Sequence, residues 1–173
     1  MVAWICLLLL PFKPWSTKEL FALKLDSTKI SLSQLTVLIP ARNEEKHIGD
    51  TLACLKEQGD IRKIIVVDDE STDNTKREIL GLELKNLVLI NGSPPPWGWS
   101  GKVWALHQGF KEVNTPFVLL LDADIVLDPK TLPYLLKEMK NKQYHFLSIM
   151  ARLKIDTFWE KLLIPAFIYF FKL

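Results

Sequence analysis

The sequence predicts an α/β fold in which mostly parallel strands form a sheet and helices flank it. Short apolar runs alternate with stretches that carry apolar residues at helical spacing. Polar and acidic residues directly follow three of these runs. Because ligands bind beyond the carboxyl ends of the strands in open α/β sheets, we expect the functional residues at these three positions.

Composition narrows the class of protein. The chain has 173 residues, a length typical of one domain. Its 49% hydrophobic and 24% charged residues exclude a disordered protein. The 22 basic and 20 acidic residues nearly balance, so no overall field attracts nucleic acid. Two cysteines exclude a disulfide framework and a cysteine-rich zinc site, which favours reduced thiols.

Five runs are predicted to be strands. The first is short, and we expect Pro40 to stop it. The second is uninterrupted and apolar, as in a strand covered on both faces. The predicted strands are 35–39, 64–67, 87–90, 117–121 and 144–152.

The first two helices are predicted between these runs. Ile48, Leu52 and Leu55 lie at helical spacing, and Asn43 is a candidate N-cap before them. A short helix is predicted over 73–80, where Ser71 and Asp73 are candidate capping residues.

Two further helices follow. A stripe of residues at helical spacing predicts the third helix, after Gly101. That stripe is Val103, Leu106, His107 and Phe110. Asp128 as N-cap and Pro129 at the first helical position predict the start of the fourth helix. Its buried stripe is Leu132, Leu135, Leu136 and Met139.

Hydrophobic segments stand at both ends, over 1–15 and 157–173. Each apolar run has about ten residues, whereas a membrane-spanning helix needs about 20. Tryptophan, tyrosine and lysine residues accompany both runs, as is typical of membrane interfaces. We expect peripheral or partial insertion at the cytoplasmic face of a membrane; a helix of the protein core is the alternative.

The sharpest local feature is the pair of aspartates in Asp122-Ala123-Asp124, which apolar residues flank on both sides. Two carboxylates near a buried strand end are costly unless a cation neutralises them. Carboxylate oxygens suit Mg²⁺ or Mn²⁺, which complete their coordination with water and substrate phosphate. We therefore expect Asp122 and Asp124 to bind a divalent metal beside a diphosphate.

A second feature is the glycine-containing loop before the third helix. Gly98 and Gly101 allow close backbone approach, a helix begins after them, and Lys102 adds a positive charge. This combination is typical of phosphate binding. It is not a Walker A loop, because that motif requires glycine where Pro96 stands. A flexible loop with a surface lysine is the alternative.

Four motifs occur in a characteristic order. They are 37–45 (VLIPARNEE), 66–75 (VVDDESTDNT), Gly101-Lys102 and Asp122-Ala123-Asp124. Over about residues 35 to 150, this pattern resembles family 2 glycosyltransferases with the Rossmann-like GT-A fold. Three further segments resemble the hopene-associated membrane glycosyltransferases. These are 97–106 (WGWSGKVWAL), 150–153 (MARL) and 162–167 (LLIPAF).

The resemblance implies a GT-A domain over 35–155 that binds a nucleotide-diphosphate sugar and a Mg²⁺ or Mn²⁺ ion. Asp69 would hydrogen-bond the base, Lys102 would lie near the diphosphate, Asp122 would face the ribose or metal, and Asp124 would ligate the metal. The nucleotide pocket would be lined by the turn containing Pro40, Arg42, Asn43 and Glu44. The implied reaction is an inverting sugar transfer to an acceptor, which the hopene likeness suggests is a lipid.

The family's general base, an aspartate, normally lies well beyond the aspartate pair, and nothing after Asp124 qualifies. We therefore expect the catalytic base beyond residue 173, with this sequence forming the donor-binding half of a longer enzyme. A donor-binding half without turnover is one alternative. A haloacid dehalogenase-like phosphatase with Asp122 as nucleophile is another, and a sugar-nucleotide pyrophosphorylase is a third.

Overall fold

A four-stranded parallel sheet lies at the centre of the computed structural model, which describes residues 30–151, 157–160 and 163. The sheet order is β3-β2-β1-β4, and every neighbouring pair is parallel, as predicted. The strands are β1 (Leu35–Ala41), β2 (Lys63–Asp68), β3 (Leu87–Asn91) and β4 (Phe117–Leu120). All four lie in one compact unit, which includes the described residues 30–148; the described residues 149–151, 157–160 and 163 belong to a second unit.

Helices cover both faces of the sheet, because successive side chains of a strand point to opposite faces. They are α1 (Ile48–Lys56), α2 (Thr75–Gly81), α3 (Gly101–Phe110) and α4 (Thr131–Lys142). Val37 and Val66 pack in the larger core with residues of α1, α2 and α4. Leu38 and Val67 point the other way and pack with Ala105 of α3. The fold is the predicted one.

Pro40 does not stop β1, contrary to prediction: it pairs with Val67, and the strand continues to Ala41. The carbonyl of Leu38 accepts a hydrogen bond from the β4 side, from the N–H of Leu121. Pro40, two residues on, faces the same side, beyond the last β4 pairing. Its missing N–H therefore costs no ladder hydrogen bond.

Three predicted capping positions differ in the structure. Asn43 is not the N-cap of α1, because His47 takes that position. Asp73 does accept a hydrogen bond from the N–H of Thr75, at 3.0 Å, but α2 begins only at Thr75. The prediction that α4 starts at Asp128 and Pro129 is wrong. The helix begins at Thr131, after Lys130, which has φ 67°. Capping side chains thus lie in the turns before the helices.

Helix α3 forms as predicted, but its stripe is only partly buried: Leu106 packs against the smaller core. Val103 and Phe110 are exposed, and the buried residues of the helix are Ala105 and Gly109. A Cβ atom on Gly109 would collide with the side chain of Leu38 and come within 2.7 Å of the Val67 side chain. Small residues let α3 lie directly against the sheet, so size rather than hydrophobicity selects its inner face.

Residues 144–151 form no strand, contrary to the prediction of a fifth strand over 144–152. Phe146 is 82% exposed, and Ile149 and Met150 are also exposed. Apolar composition predicted a strand here, but no neighbouring strand in the described residues pairs with it.

The hydrophobic terminal segments lie mostly outside the described residues, so that prediction stays a prediction. Phe158, Trp159 and Leu163, which are described, are exposed. In the part of the chain that the structure describes, no helix has both the length and the apolar character to cross a membrane.

Candidate functional site

A cavity of about 400 Å³ opens at the carboxyl ends of β1, β2 and β4. It lies where parallel strands of an α/β sheet place their ligands. Ten residues line it: Pro40, Ala41, Arg42, Glu44, Asp69, Gly101, Lys102, Asp122, Ala123 and Asp124. The structure therefore brings together every predicted site residue except Asn43. Ala41 and Ala123 were not predicted, because a small side chain carries no chemical signal.

Asp69 is the buried charge of the cavity. It follows β2 directly, and its backbone N–H donates to the carbonyl of Ala41 at 2.8 Å. The residue is 4% exposed, and its Oδ2 lies 3.6 Å from Nη1 of Arg42. Its Oδ1 is buried and accepts no hydrogen bond from the described residues. A buried carboxylate oxygen without a donor is costly, so a ligand donor here would be favourable.

The amino-terminal end of α3 lines the cavity beside Asp69. A Cβ on Gly101 would lie 2.8 Å from Oδ2 of Asp69, so a larger residue here would displace this buried carboxylate. Lys102 follows, and its Nζ donates to Oδ1 of Asp122 at 2.8 Å. Both side chains are more than half exposed, so their ion pair contributes little to stability. The lysine is available to an anionic ligand.

The aspartate pair is exposed, contrary to the expectation of carboxylates near a buried strand end. The side chain of Asp122 is 56% exposed, and Asp124 makes no hydrogen bond or ion pair within the described residues. Burial therefore does not demand a cation. The donor set still fits Mg²⁺ or Mn²⁺, because two carboxylate ligands leave positions for water and phosphate. No group of three or more candidate ligand residues occurs in the described ranges.

Side-chain hydrogen bonds tie the loop after β1 to the loop after β2. Oδ1 of Asn43 accepts from the N–H of Thr72 at 2.8 Å, and Asn43 itself has φ 56°. The N–H of Glu45 donates to Asp73. Desolvation raises the pKa of Asp73, but hydrogen bonds from Thr75 and from the Glu45 backbone outweigh this effect and hold that pKa below its ordinary value. Asn43 therefore shapes the wall of the cavity and does not line it.

Polar side chains of α1 hold the segment that follows β4, a contact that sequence reasoning missed. Thr51 donates to the carbonyl of Ala123 at 2.8 Å, and Sγ of Cys54 accepts from a backbone N–H at 3.2 Å. In the turn just after α1, the side chain of Gln58 donates to the carbonyl of Asp128 at 2.9 Å. Burial raises the pKa of the Cys54 thiol. In the sequence, the signal for this contact was the presence of polar residues among the apolar residues of the predicted first helix.

His107 is exposed, and its ring stacks against Trp104 at 5.3 Å, while Trp99 lies edge-on to Trp104. His107 therefore belongs to an aromatic cluster with the two tryptophans.

Comparison with known proteins identifies the family of this chain. Residues 36–172 match the family model described as glycosyl transferase family 2. Curated relatives include the 4,4'-diaponeurosporenoate glycosyltransferases of Staphylococcus aureus, 33% identical over 103 residues, which is 60% of this chain and 27% of theirs. The chain thus spans about a quarter of the length of these relatives.

Solved structures share the fold. TarS of S. aureus superimposes with a TM-score of 0.54 and 27% identity over 64% of this chain and 33% of that chain. Its complex with UDP-GlcNAc superimposes with a TM-score of 0.52 and 25% identity, over 64% of this chain and 32% of that chain. A mannosyltransferase of Pyrobaculum calidifontis, solved with GDP-Man and Mn²⁺, superimposes with a TM-score of 0.51 and 26% identity. The match covers 61% of this chain and 32% of that chain. The architecture is therefore the GT-A, Rossmann-like one.

Proposed function

We propose, because the chain belongs to glycosyltransferase family 2, that its cavity binds a nucleotide-diphosphate sugar for an inverting sugar transfer. The observation that carries the proposal is the convergence of Asp69, Lys102 and the aspartate pair on one cavity at the strand ends. The buried carboxylate of Asp69 suits a hydrogen-bond donor of the base, and the exposed ammonium of Lys102 suits the diphosphate. The two carboxylates of the aspartate pair suit the metal. The neighbours with UDP-GlcNAc and with GDP-Man and Mn²⁺ support this proposal.

Each group has a distinct part in binding the donor. Asp69 accepts a hydrogen bond from the nucleotide base, and Arg42 balances its charge from the cavity rim. Lys102 at the start of α3 binds the diphosphate, helped by the partial positive charge of the helix end. Asp122 and Asp124 would hold the metal. A bound divalent cation neutralises the charge that develops on the leaving diphosphate.

The transfer itself exchanges one bond at the anomeric carbon. The acceptor hydroxyl oxygen forms its bond there from the face opposite the diphosphate, whose bond to carbon breaks. The bonding electrons leave with the nucleoside diphosphate, and the hydroxyl proton passes to a general base. None of the described residues is assigned as that base, so binding of the donor is the step this chain is proposed to perform. The phosphatase alternative is not favoured by the family match.

Metal and nucleotide are expected to bind together. Titrating UDP into the protein by calorimetry should give tighter binding with Mn²⁺ than with EDTA, because Asp122 and Asp124 would hold a cation that offsets the charge of the diphosphate. ADP serves as the control for the base. Equal affinity for UDP in Mn²⁺ and EDTA would remove the metal from the proposal, and no binding in either would exclude a uridine nucleotide as the ligand of this cavity.

We further propose a lipid acceptor and association with the cytoplasmic face of a membrane. The S. aureus relatives are named for the carotenoid-type acceptor 4,4'-diaponeurosporenoate, which supports a long apolar acceptor without identifying it. The hydrophobic ends of the chain, 1–15 and 157–173, would bring the cavity to the bilayer surface.

Liposome flotation tests the membrane proposal. The full chain should float with vesicles of phosphatidylglycerol and phosphatidylethanolamine, and a chain lacking 1–15 and 157–173 should stay in the soluble fraction. Binding of UDP by the shortened chain checks that it is folded. A full chain that stays soluble would contradict the membrane proposal.

A further inference from the structure

We propose that Thr51 is a positioning residue for the carboxylates of Asp122 and Asp124, an inference that rests on the proposed donor and metal site. Thr51 lies in α1 and is fully buried. Its hydroxyl donates to the carbonyl of Ala123 at 2.8 Å. That carbonyl belongs to the peptide that joins Ala123 to Asp124, so the hydrogen bond sets the direction in which the chain enters Asp124.

The rest of the segment after β4 is held by α1 and by the turn that follows this helix. The backbone N–H of Leu127 donates to Sγ of Cys54 at 3.2 Å. Gln58, which is 4% exposed, accepts from the N–H of Leu132 at 3.0 Å and donates to a backbone carbonyl. Thr51 and Cys54 lie at i and i+3 of α1, and Gln58 lies in the turn after it. Of the three, Thr51 holds the residue between the two aspartates.

The two aspartates have no comparable support of their own. Within the described ranges, the side chain of Asp124 makes no hydrogen bond, and that of Asp122 is paired only with the exposed Lys102. Mg²⁺ demands ligand oxygens at about 2.0–2.1 Å in near-octahedral geometry, and Mn²⁺ likewise prefers hard oxygen donors. The orientation of the carboxylates therefore depends on the backbone between them, and Thr51 is the side chain that holds that backbone.

The test is the variant Thr51→Val, which keeps the shape of the side chain and removes the donor. UDP affinity is measured by calorimetry with Mn²⁺ and with EDTA. We expect the gain in affinity from Mn²⁺ to fall by about 10- to 100-fold, as for other residues that orient metal ligands, and the affinity in EDTA to stay unchanged. Thr51→Ser, which restores the hydroxyl, should restore the Mn²⁺ dependence.

Thr36→Val is the matched control. Thr36 is equally buried, and its hydroxyl shares a hydrogen bond of 2.7 Å with that of Thr115, near the amino-terminal end of β1. Thermal unfolding should show a comparable loss of stability in both valine variants. Only Thr51→Val should lose Mn²⁺ dependence. If it does not, or if Thr36→Val loses as much, Thr51 has only a structural role.

The proposed function and this inference fail in different ways. Asp124→Ala reports on the metal site itself: if it leaves Mn²⁺ dependence intact, the metal site is wrong and the inference falls with it. If Asp124→Ala abolishes the dependence and Thr51→Val does not, the inference alone is wrong. Should Thr51→Val not fold, Thr51→Ala is measured in its place with the same criteria.

Discussion

Replacing Asp124 by alanine should abolish the Mn²⁺-dependent part of UDP binding, a loss of about 100-fold or roughly 2.7 kcal/mol. Asp124 lines the cavity, is exposed, and makes no hydrogen bond or ion pair in the described part of the chain. Its carboxylate is therefore free to ligate a cation, and alanine removes the ligand without disturbing a packed contact. Calorimetric titration of UDP with Mn²⁺ and with EDTA measures the difference.

Asp128→Ala is the control for this variant. Asp128 is an exposed aspartate on the same segment and does not line the cavity. Its backbone carbonyl, not its side chain, receives the hydrogen bond from Gln58. The control variant should bind UDP and Mn²⁺ as the unaltered protein does. An equal loss in both variants would mean that net negative charge, and not ligation by Asp124, attracts the metal.

Asp69→Ala should weaken UDP binding by about 5- to 150-fold, which corresponds to about 1–3 kcal/mol for a lost hydrogen bond to a buried partner. The loss should be the same in Mn²⁺ and in EDTA, because Asp69 is proposed to contact the base and not the metal. Thermal stability should fall little, since Oδ1 of Asp69 accepts no hydrogen bond from the described residues and alanine removes a costly buried group. Calorimetry and a thermal melt measure the two effects.

The neighbouring residue is the control for Asp69. Asp68 is also buried, at 7% exposure, but its carboxylate accepts from the N–H of Ser71 at 3.3 Å and does not line the cavity. Asp68→Ala should lower the melting temperature and change UDP affinity less than Asp69→Ala does. A UDP affinity that Asp69→Ala leaves unchanged would reject the proposed contact with the base.

The strands were predictable because their signal is local. Ile64, Ile65, Val66 and Val67 form an unbroken apolar run, and each is no more than 1% exposed in the structure. A strand buried on both faces must be apolar at every position. The helices α1 and α4 also bury the residues that helical spacing indicated, Leu52 and Leu132 among them.

The prediction of a fifth strand failed, and the stripe of α3 did not indicate its inner face, because an apolar pattern does not show which neighbouring element will pack against it. Residues 144–151 are apolar enough for a strand, but no strand in the described residues lies beside them. Helix α3 has apolar residues at helical spacing, yet Ala105 and Gly109 face the sheet because the larger side chains cannot fit there. Pairing and available space are properties of the neighbouring elements.

Polar residues in turns were predictable as a group but not one by one. Asn43 has the chemistry of a helix cap, yet its side chain accepts a hydrogen bond from Thr72, 29 residues away in sequence. Asp73 similarly accepts from the backbone of Glu45 as well as from Thr75. A short polar side chain satisfies whichever donor lies nearest, and only the fold determines which one that is.

The sequence alone determined the parallel α/β core and the edge at which Asp69, Lys102 and Asp124 would meet, because apolar runs and the residues that follow them are local patterns. The tertiary structure decided which of these groups are buried, leaving Asp69 enclosed and Asp124 in solvent. It also placed Thr51 against Ala123, 72 residues further along the chain. Burial and contacts of this kind depend on how separate segments pack, and spacing along one segment does not encode them.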